Sequence, residues 1–244
     1  MAAPVLRAYR AYGGVAVVIP AHNEGEKLPA CLRAVLTAAL CAPIPVSIVV
    51  VLDASDHDSA KLAGQYGPDV HFIRVDARNV GTARAVGFGY ARSLFADDDE
   101  CWYATTDADS RVDPGWLVHQ LGLGADMVLG VVRIADWRSR STEVADRFER
   151  AYEAGSPDQD GPHEHVHGAN IGFSARAYWR VGGFRALRSG EDVDLVERFE
   201  SAGYTIHRDT DLSVSTSART RARAPHGFAH YLRRLARSAA GDCA

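Results

Sequence analysis

The stretch Cys101-Trp102-Tyr103-Ala104-Thr105-Thr106-Asp107-Ala108-Asp109-Ser110 is an apolar run that stops abruptly at two carboxylates. Such a run reads as a buried strand. An Asp-x-Asp at its end puts acids at the carboxyl edge of a sheet, where α/β proteins hold their ligands. Hard oxygen ligands there suit Mg²⁺ or Mn²⁺ carrying a diphosphate, although the same two acids would also serve as solvated turn residues. The flanking sequence has to decide between these.

On the amino-terminal side the same pattern recurs. Val15-Ala-Val-Val-Ile19, ended by Pro20, and Val46-Ser-Ile-Val-Val-Val-Leu52 are continuous apolar runs, as expected of strands buried on both faces. Between them Leu28, Leu32, Val35, Leu36 and Ala39 repeat at helical spacing, closed by Pro43 and Pro45. A short helix over Ser59–Tyr66, a strand over Val70–Val75 and a helix carrying Ala83, Val86, Tyr90, Ala91 and Leu94 complete the approach to Trp102. A helix near Pro114–Leu123 and a strand over Met127–Val132 follow. Strand and helix units alternating at this length predict right-handed crossovers and a three-layer α/β/α sandwich on a mostly parallel sheet.

After Val132 the pattern changes. Arg138–Ala154 is polar and helix-compatible, and the breaker-rich run Gly155–His165 reads as a loop. A strand near Ile171–Ser174, a helix over Glu191–Ala202, a strand near Tyr204–His207 and an amphipathic tail helix with Phe228, Tyr231, Leu232 and Leu235 come next. The 244 residues, 47% hydrophobic, read as one domain. No apolar stretch suggests a signal peptide or a membrane span. Cys31, Cys41, Cys101 and Cys243 have no zinc-type spacing, so free thiols in a cytoplasmic setting are expected. The net charge of -4 hides a local block: Leu212–Gly241 has no acid but holds Arg219, Arg221, Arg223, Arg233, Arg234 and Arg237. Such a block favours phosphate, an anionic acceptor or peripheral contact with a membrane surface, with no nucleic acid implied.

The turn after the first strand, Pro20-Ala-His-Asn23-Glu24, has no GxGxxG, which excludes a dinucleotide fingerprint. Asn23 and Glu24 would also suit a helix start, and Asp53 with Ser55 an ordinary turn. Together, however, Val17-Val-Ile-Pro20-Ala-His-Asn23-Glu24, Asp53-Ala-Ser55, Arg78-Asn79-Val-Gly81-Thr-Ala-Arg84-Ala-Val-Gly87, Asp107-Ala-Asp109, Gly168-Ala-Asn170, Gly182-Gly183-Phe184 and Gly190-Glu191-Asp192-Val-Asp194 stand in an order that resembles family 2 glycosyltransferases of the GT-A fold. The resemblance spans about residues 15–216. It implies a nucleotide-sugar-binding half over about 15–132, an acceptor and catalytic half over about 133–216, and a basic tail over 217–244.

The resemblance also implies site roles. Pro20, Asn23, Glu24, Asp53 and Arg84 match nucleotide-contacting positions, Asp109 a direct ligand of Mg²⁺ or Mn²⁺, and Asp107 a ribose or metal-water contact. Asp192 matches the general base, with Glu191 beside it as the alternative. The donor would be a nucleoside-diphosphate sugar, and the acceptor a hydroxyl of a small molecule, glycan or lipid-linked species. Moving a sugar needs positive charge on the leaving diphosphate and a base on the acceptor, so one displacement inverts the anomeric centre. Two departures stand out: Leu52 occupies a place where many relatives carry an acid, and a QxxRW-type tail is absent. Arg219 is expected near the diphosphate, with His226 as a further metal-ligand candidate. His163, His165 and His167 read as loop residues, and Trp137, Tyr178 and Trp179 as packing or sugar-stacking groups. The alternatives are a non-catalytic nucleotide-sugar scaffold and a sugar nucleotidyltransferase. The latter would require a Gly-rich basic loop where Pro20–Glu24 stands.

Overall fold

The apolar runs form strands covered on both faces. In the computed structural model, which describes residues 12–55, 59, 61–137, 146, 165–187 and 189–217, the first such strand is β1 (Gly14–Ala21). Helix α1 (Leu28–Cys41) leads to β2 (Val46–Asp53) and β3 (Val70–Val75). Helix α2 (Val80–Arg92), β4 (Cys101–Thr105), β5 (Arg111–Val112), α3 (Trp116–Gly122) and β6 (Met127–Asp136) follow. The carboxyl-terminal elements are β7 (Ile171–Ser174), α4 (Ala175–Arg180), α5 (Glu191–Ser201) and β8 (Ile206–Ser217).

One sheet runs in the order β3-β2-β1-β4-β7-β6-β8-β5. Its first four strands are parallel, with Val18 beside Thr105, Ala21 beside Leu52, and Asp53 beside Val75. Their carboxyl ends therefore share one edge. Beyond β4 the sheet is mixed: β7 is antiparallel to β4 and β6, β6 is parallel to β8, and β5 is antiparallel to β8.

The side-chain alternation of each strand splits the core in two. Val15, Val17 and Ile19 pack with Leu28, Leu32 and Val35 of α1 and Trp116 and Leu117 of α3. Ala16 and Val18 face the opposite way, toward Phe88 of α2, Tyr178 of α4 and Leu195 and Phe199 of α5. This is the expected three-layer arrangement. A Cβ on Gly87 would come within 2.4 Å of Val18, so this glycine lets α2 lie directly on the sheet. Tyr178 stacks on Phe173 at 5.0 Å, and Trp179 meets Tyr103 edge-on at 6.2 Å, so both aromatics belong to packing.

Four segments differ from the sequence expectation. Residues 61–66, expected within a short helix, are turns and bends, and α4 and β5 appear where none was anticipated. The strand expected near Tyr204–His207 extends to Ser217. Its middle, His207-Arg-Asp-Thr-Asp211, is polar and has no strand signature; pairing with β6 holds it. The pairing skips from Gly130–Asp209 to Val131–Ser213, and Asp209 Oδ1 closes this bulge by accepting from the Asp211 and Leu212 amides at 2.8 and 3.2 Å. Residues 138–145 and 147–164 and the tail from 218 onward, with their expected helices and loop, lie outside the described residues.

Asn170 closes the junction of β6, β7, β8 and α3. It is fully buried, accepts from Trp116 Nε1 at 2.8 Å, and donates to the Val131 and Leu212 carbonyls at 2.9 and 2.8 Å. Each partner would be left buried and unsatisfied without it. Asn170→Ala should therefore lower stability by about 3 kcal/mol in urea unfolding, a loss on the scale of two or three orphaned groups.

The parallel strands end in unusual backbone. Among the described residues, the non-glycine positions with positive φ are Asn23 (52°), Ala54 (44°) and Arg78 (50°), which follow β1, β2 and β3 respectively. Alanine has no side-chain hydrogen bond to compensate for the left-handed region. Ala54→Gly should raise stability by about 1 kcal/mol, read as a thermal midpoint about 2–4 °C higher.

Candidate functional site

The loops at the shared strand edge are tied to one another. Ser55 Oγ donates to the Ala21 carbonyl at 2.8 Å, and the His22 ring Nδ1 lies 2.6 Å from the Asp53 carbonyl. Asn23 is exposed, with its amide 3.4 Å from Ser55 Oγ; Pro20 pairs in register with Val51. Asp53 is buried, and its carboxylate accepts from the backbone amides of Ala77, Arg78 and Asn79, each at 2.8 Å. Its first effect is thus to shape the loop after β3. Asn79 then caps α2 through Thr82 N and donates from Nδ2 to the Leu187 carbonyl, at 2.9 and 2.8 Å.

Arg84, on the buried face of α2, is the centre of the site. Only 2% exposed, it donates from Nη1 to Glu191 Oε1 at 2.5 Å and from Nη2 to Asp107 Oδ1 at 2.8 Å. Its Nε faces Thr105 Oγ1 at 3.3 Å, and that hydroxyl donates to the Val18 carbonyl at 2.9 Å. Burial works against the guanidinium charge, but Asp107, Glu191 and Asp192 outweigh it and hold the pKa above its ordinary value. Burial pushes the Glu191 carboxyl up, Arg84 opposes it, and Asp192 and Asp107 add to the upward push.

Asp192 is the neighbour of Glu191 in the first turn of α5, and unlike Glu191 it is partly exposed. Its Oδ2 accepts from the Gly168 amide at 2.8 Å. A Cβ at Gly168 would lie 2.6 Å from both terminal nitrogens of Arg84, so the absent side chain is what admits the arginine. Asp194 points away into a separate pairing with Arg185 and Arg198. Gly81 lets the start of α2 approach the same turn: a Cβ there would meet the Arg185 carbonyl at 2.2 Å and Glu191 Cβ at 3.1 Å.

The two acids after β4 differ in setting. Both are partly exposed; Asp107 is bonded to Arg84, and Asp109 stands two residues on. Cys31 Sγ on α1 faces the Asp107 carbonyl at 3.4 Å, and burial, followed by the carboxylates of Asp107, Asp109 and Glu24, pushes its thiol up. Among the described residues no three His, Cys, Asp or Glu side chains form a closed metal cage. Carboxylates are the donor type that Mg²⁺ and Mn²⁺ take, one or two at a time, with water and substrate phosphate completing the shell. Arg219 and His226 lie outside the described residues, as does His163; the His165 and His167 rings stack at 5.8 Å. No helix among the described residues is long and apolar enough to cross a membrane.

Sequence reasoning brought Asp107, Glu191 and Asp192 forward but missed what joins them. The roles of Gly168 and of the Asp53-held loop depend on chain segments distant in sequence. The only available signals were a glycine immediately after a histidine-rich run and an Arg-Asn pair immediately before a helix.

Several solved structures share this fold. The mannosyltransferase PcManGT from Pyrobaculum calidifontis, solved with GDP-Man and Mn²⁺, superposes with a TM-score of 0.60 at 19% identity, covering 86% of this chain and 58% of that one. Residues 1–349 of TarS from S. aureus, solved with UDP-GlcNAc, superpose with a TM-score of 0.62 at 13% identity, covering 91% of this chain and 65% of that one. At such identities the likeness is one of fold, and the chain spans less than two thirds of either neighbour. No curated protein matches the sequence. The sequence model described as Glycosyl transferase family 2 matches residues 16–182, from β1 through the turn after α4 and so across the strand ends, Arg84 and both acids after β4. That match takes in well over half of the 244 residues, and the chain belongs to glycosyl transferase family 2.

Proposed function

We propose that this protein transfers a sugar from a nucleoside-diphosphate donor to a hydroxyl acceptor with inversion, Asp192 serving as general base. The observation that carries the reading is the Arg84 bridge. It joins Asp107 after β4 to Glu191 at the start of α5, and so brings the turn bearing Asp192 to the edge where Asp109 stands. Asp109, supported by Asp107, would hold Mg²⁺ or Mn²⁺, which supplies positive charge for the departing diphosphate. Pro20, Asn23 and Glu24 line the nucleotide side. Asp53 acts there through the Ala77–Asn79 loop it orders. The partly exposed Asp192 takes the acceptor proton as the hydroxyl attacks, and the Gly168 amide keeps the carboxylate oriented. The acceptor is a small molecule, glycan or lipid-linked hydroxyl, and Arg219 in the basic tail is a further diphosphate contact.

A donor bound by the folded state raises its stability by mass action. A thermal-shift panel of nucleotide sugars, run with and without Mn²⁺, should show at least one that stabilises the chain in a metal-dependent manner; no stabilisation by any member would favour a scaffold lacking donor binding. Asp109→Asn should weaken Mn²⁺-dependent binding of that donor by about tenfold, equivalent to about 1.4 kcal/mol. Equal titration curves for the variant and the parent would remove Asp109 from the metal site.

Asp192→Asn should lower turnover by about 100- to 10,000-fold, the usual contribution of a general base, while donor affinity persists. Release of nucleoside diphosphate under saturating donor measures the first quantity, and calorimetric titration the second. Undiminished turnover would exclude Asp192 as the base.

A further inference from the structure

Glu191 is the one carboxylate of the site that the proposed reaction leaves without a task. It is 5% exposed, and its partner Arg84 is 2% exposed, so neither is suited to meeting a hydroxyl acceptor directly. Each nitrogen of Arg84 is engaged: Nε with Thr105, one terminal nitrogen with Glu191 and the other with Asp107. A planar fork of this kind holds two carboxylates in fixed relation, which a lysine ammonium does not. The guanidinium nevertheless has a single positive charge to divide between them. Whatever claims charge at Asp107 changes what remains for Glu191, and the reverse holds equally.

We infer that Arg84 and Glu191 are positioning residues that couple donor loading at Asp107 to the turn bearing Asp192. Glu191 draws the shared guanidinium toward α5 and so limits how strongly Arg84 competes with an incoming metal diphosphate for Asp107. When that ligand engages Asp107, Arg84 turns more fully to Glu191 and tightens the first turn of α5. The tight approach of Gly81 to Glu191 and of Gly168 to Arg84 leaves the fork little room to relax otherwise. The inference rests on the reading of Asp107 and Asp109 as a metal-diphosphate edge.

A double-mutant cycle on the full chain tests it, with Mn²⁺–GDP and Mn²⁺–UDP as the titrated probes. Glu191→Gln should weaken binding of whichever probe binds by about fivefold, and this loss should vanish in an Asp107→Asn background. A purely structural Glu191 would alter stability without producing such non-additivity. Should Glu191→Gln not fold, Arg84→Lys enters the same cycle, since it keeps the charge but loses the fork. An equal loss in both backgrounds, or no loss in either, would overturn the coupling while leaving the metal-diphosphate edge intact. Should neither probe bind the parent chain, Mn²⁺–ADP, Mn²⁺–CDP and Mn²⁺–dTDP take their place in the cycle; if none of the five binds, the edge reading fails and the inference falls with it.

Discussion

A guanidinium removed almost entirely from water is the constraint on which this site depends. An unpaired charge at that depth would be prohibitive, so the fold must deliver acceptors to it from several directions. It does so with Thr105 on β4, Asp107 just beyond it, and Glu191 on α5, a residue 107 positions further along the chain than its partner. Arg84 itself is presented by a helix that can reach the sheet because Gly87 has no side chain. The charge therefore acts as a folding condition: α2, β4 and α5 must all be in place before its partners exist. Replacing one partner leaves a buried cation with a vacant nitrogen, which is a different event from trimming a surface pair.

The parallel half of the sheet makes this convergence inexpensive. Because β1, β2 and β4 end side by side, residues separated by dozens of positions become neighbours without long loops. The loops that do exist are stiffened by backbone acceptors and by left-handed residues at Asn23, Ala54 and Arg78. Strain of this kind concentrates where geometry matters more than stability. Asp53 illustrates the shift in meaning that follows: a carboxylate at a strand end invites a ligand role, yet here it organises three consecutive amides.

How much was legible in the sequence follows from range of interaction. β1, β2 and β7 announce themselves because strands buried on both faces must be largely apolar, and β3, a half-buried strand at the sheet edge, because Val70, Phe72, Ile73 and Val75 recur along it. β8 does not, since Arg208, Asp209 and Asp211 are held in strand form by β6 and by a side-chain-closed bulge, neither of which leaves a local trace. α4 is a single short turn and a half, below the length at which periodicity speaks. At the site, Asp107 and Asp109 were visible as acids stranded after an apolar run, whereas Glu191, Asp192 and a place for Arg84 near the nucleotide came from the motif order alone. That Arg84 binds Asp107 and Glu191 at once was not readable, because no spacing rule links residues 84, 107 and 191.

The orientation of β6 and β8 has one more consequence. Both run parallel to β4 through the intervening antiparallel β7, and Asp136 and Ser217 are register partners near their carboxyl ends. The chain thus leaves the described fold after Trp137, and again after Ser217, on the side of the sheet where Asp107 and Asp109 stand. Two lengths of sequence far apart in the chain are launched from one rung of the same ladder. The sheet alone therefore fixes where both departures occur, so the position of the two exits relative to Asp107 and Asp109 does not depend on the sequence that follows them.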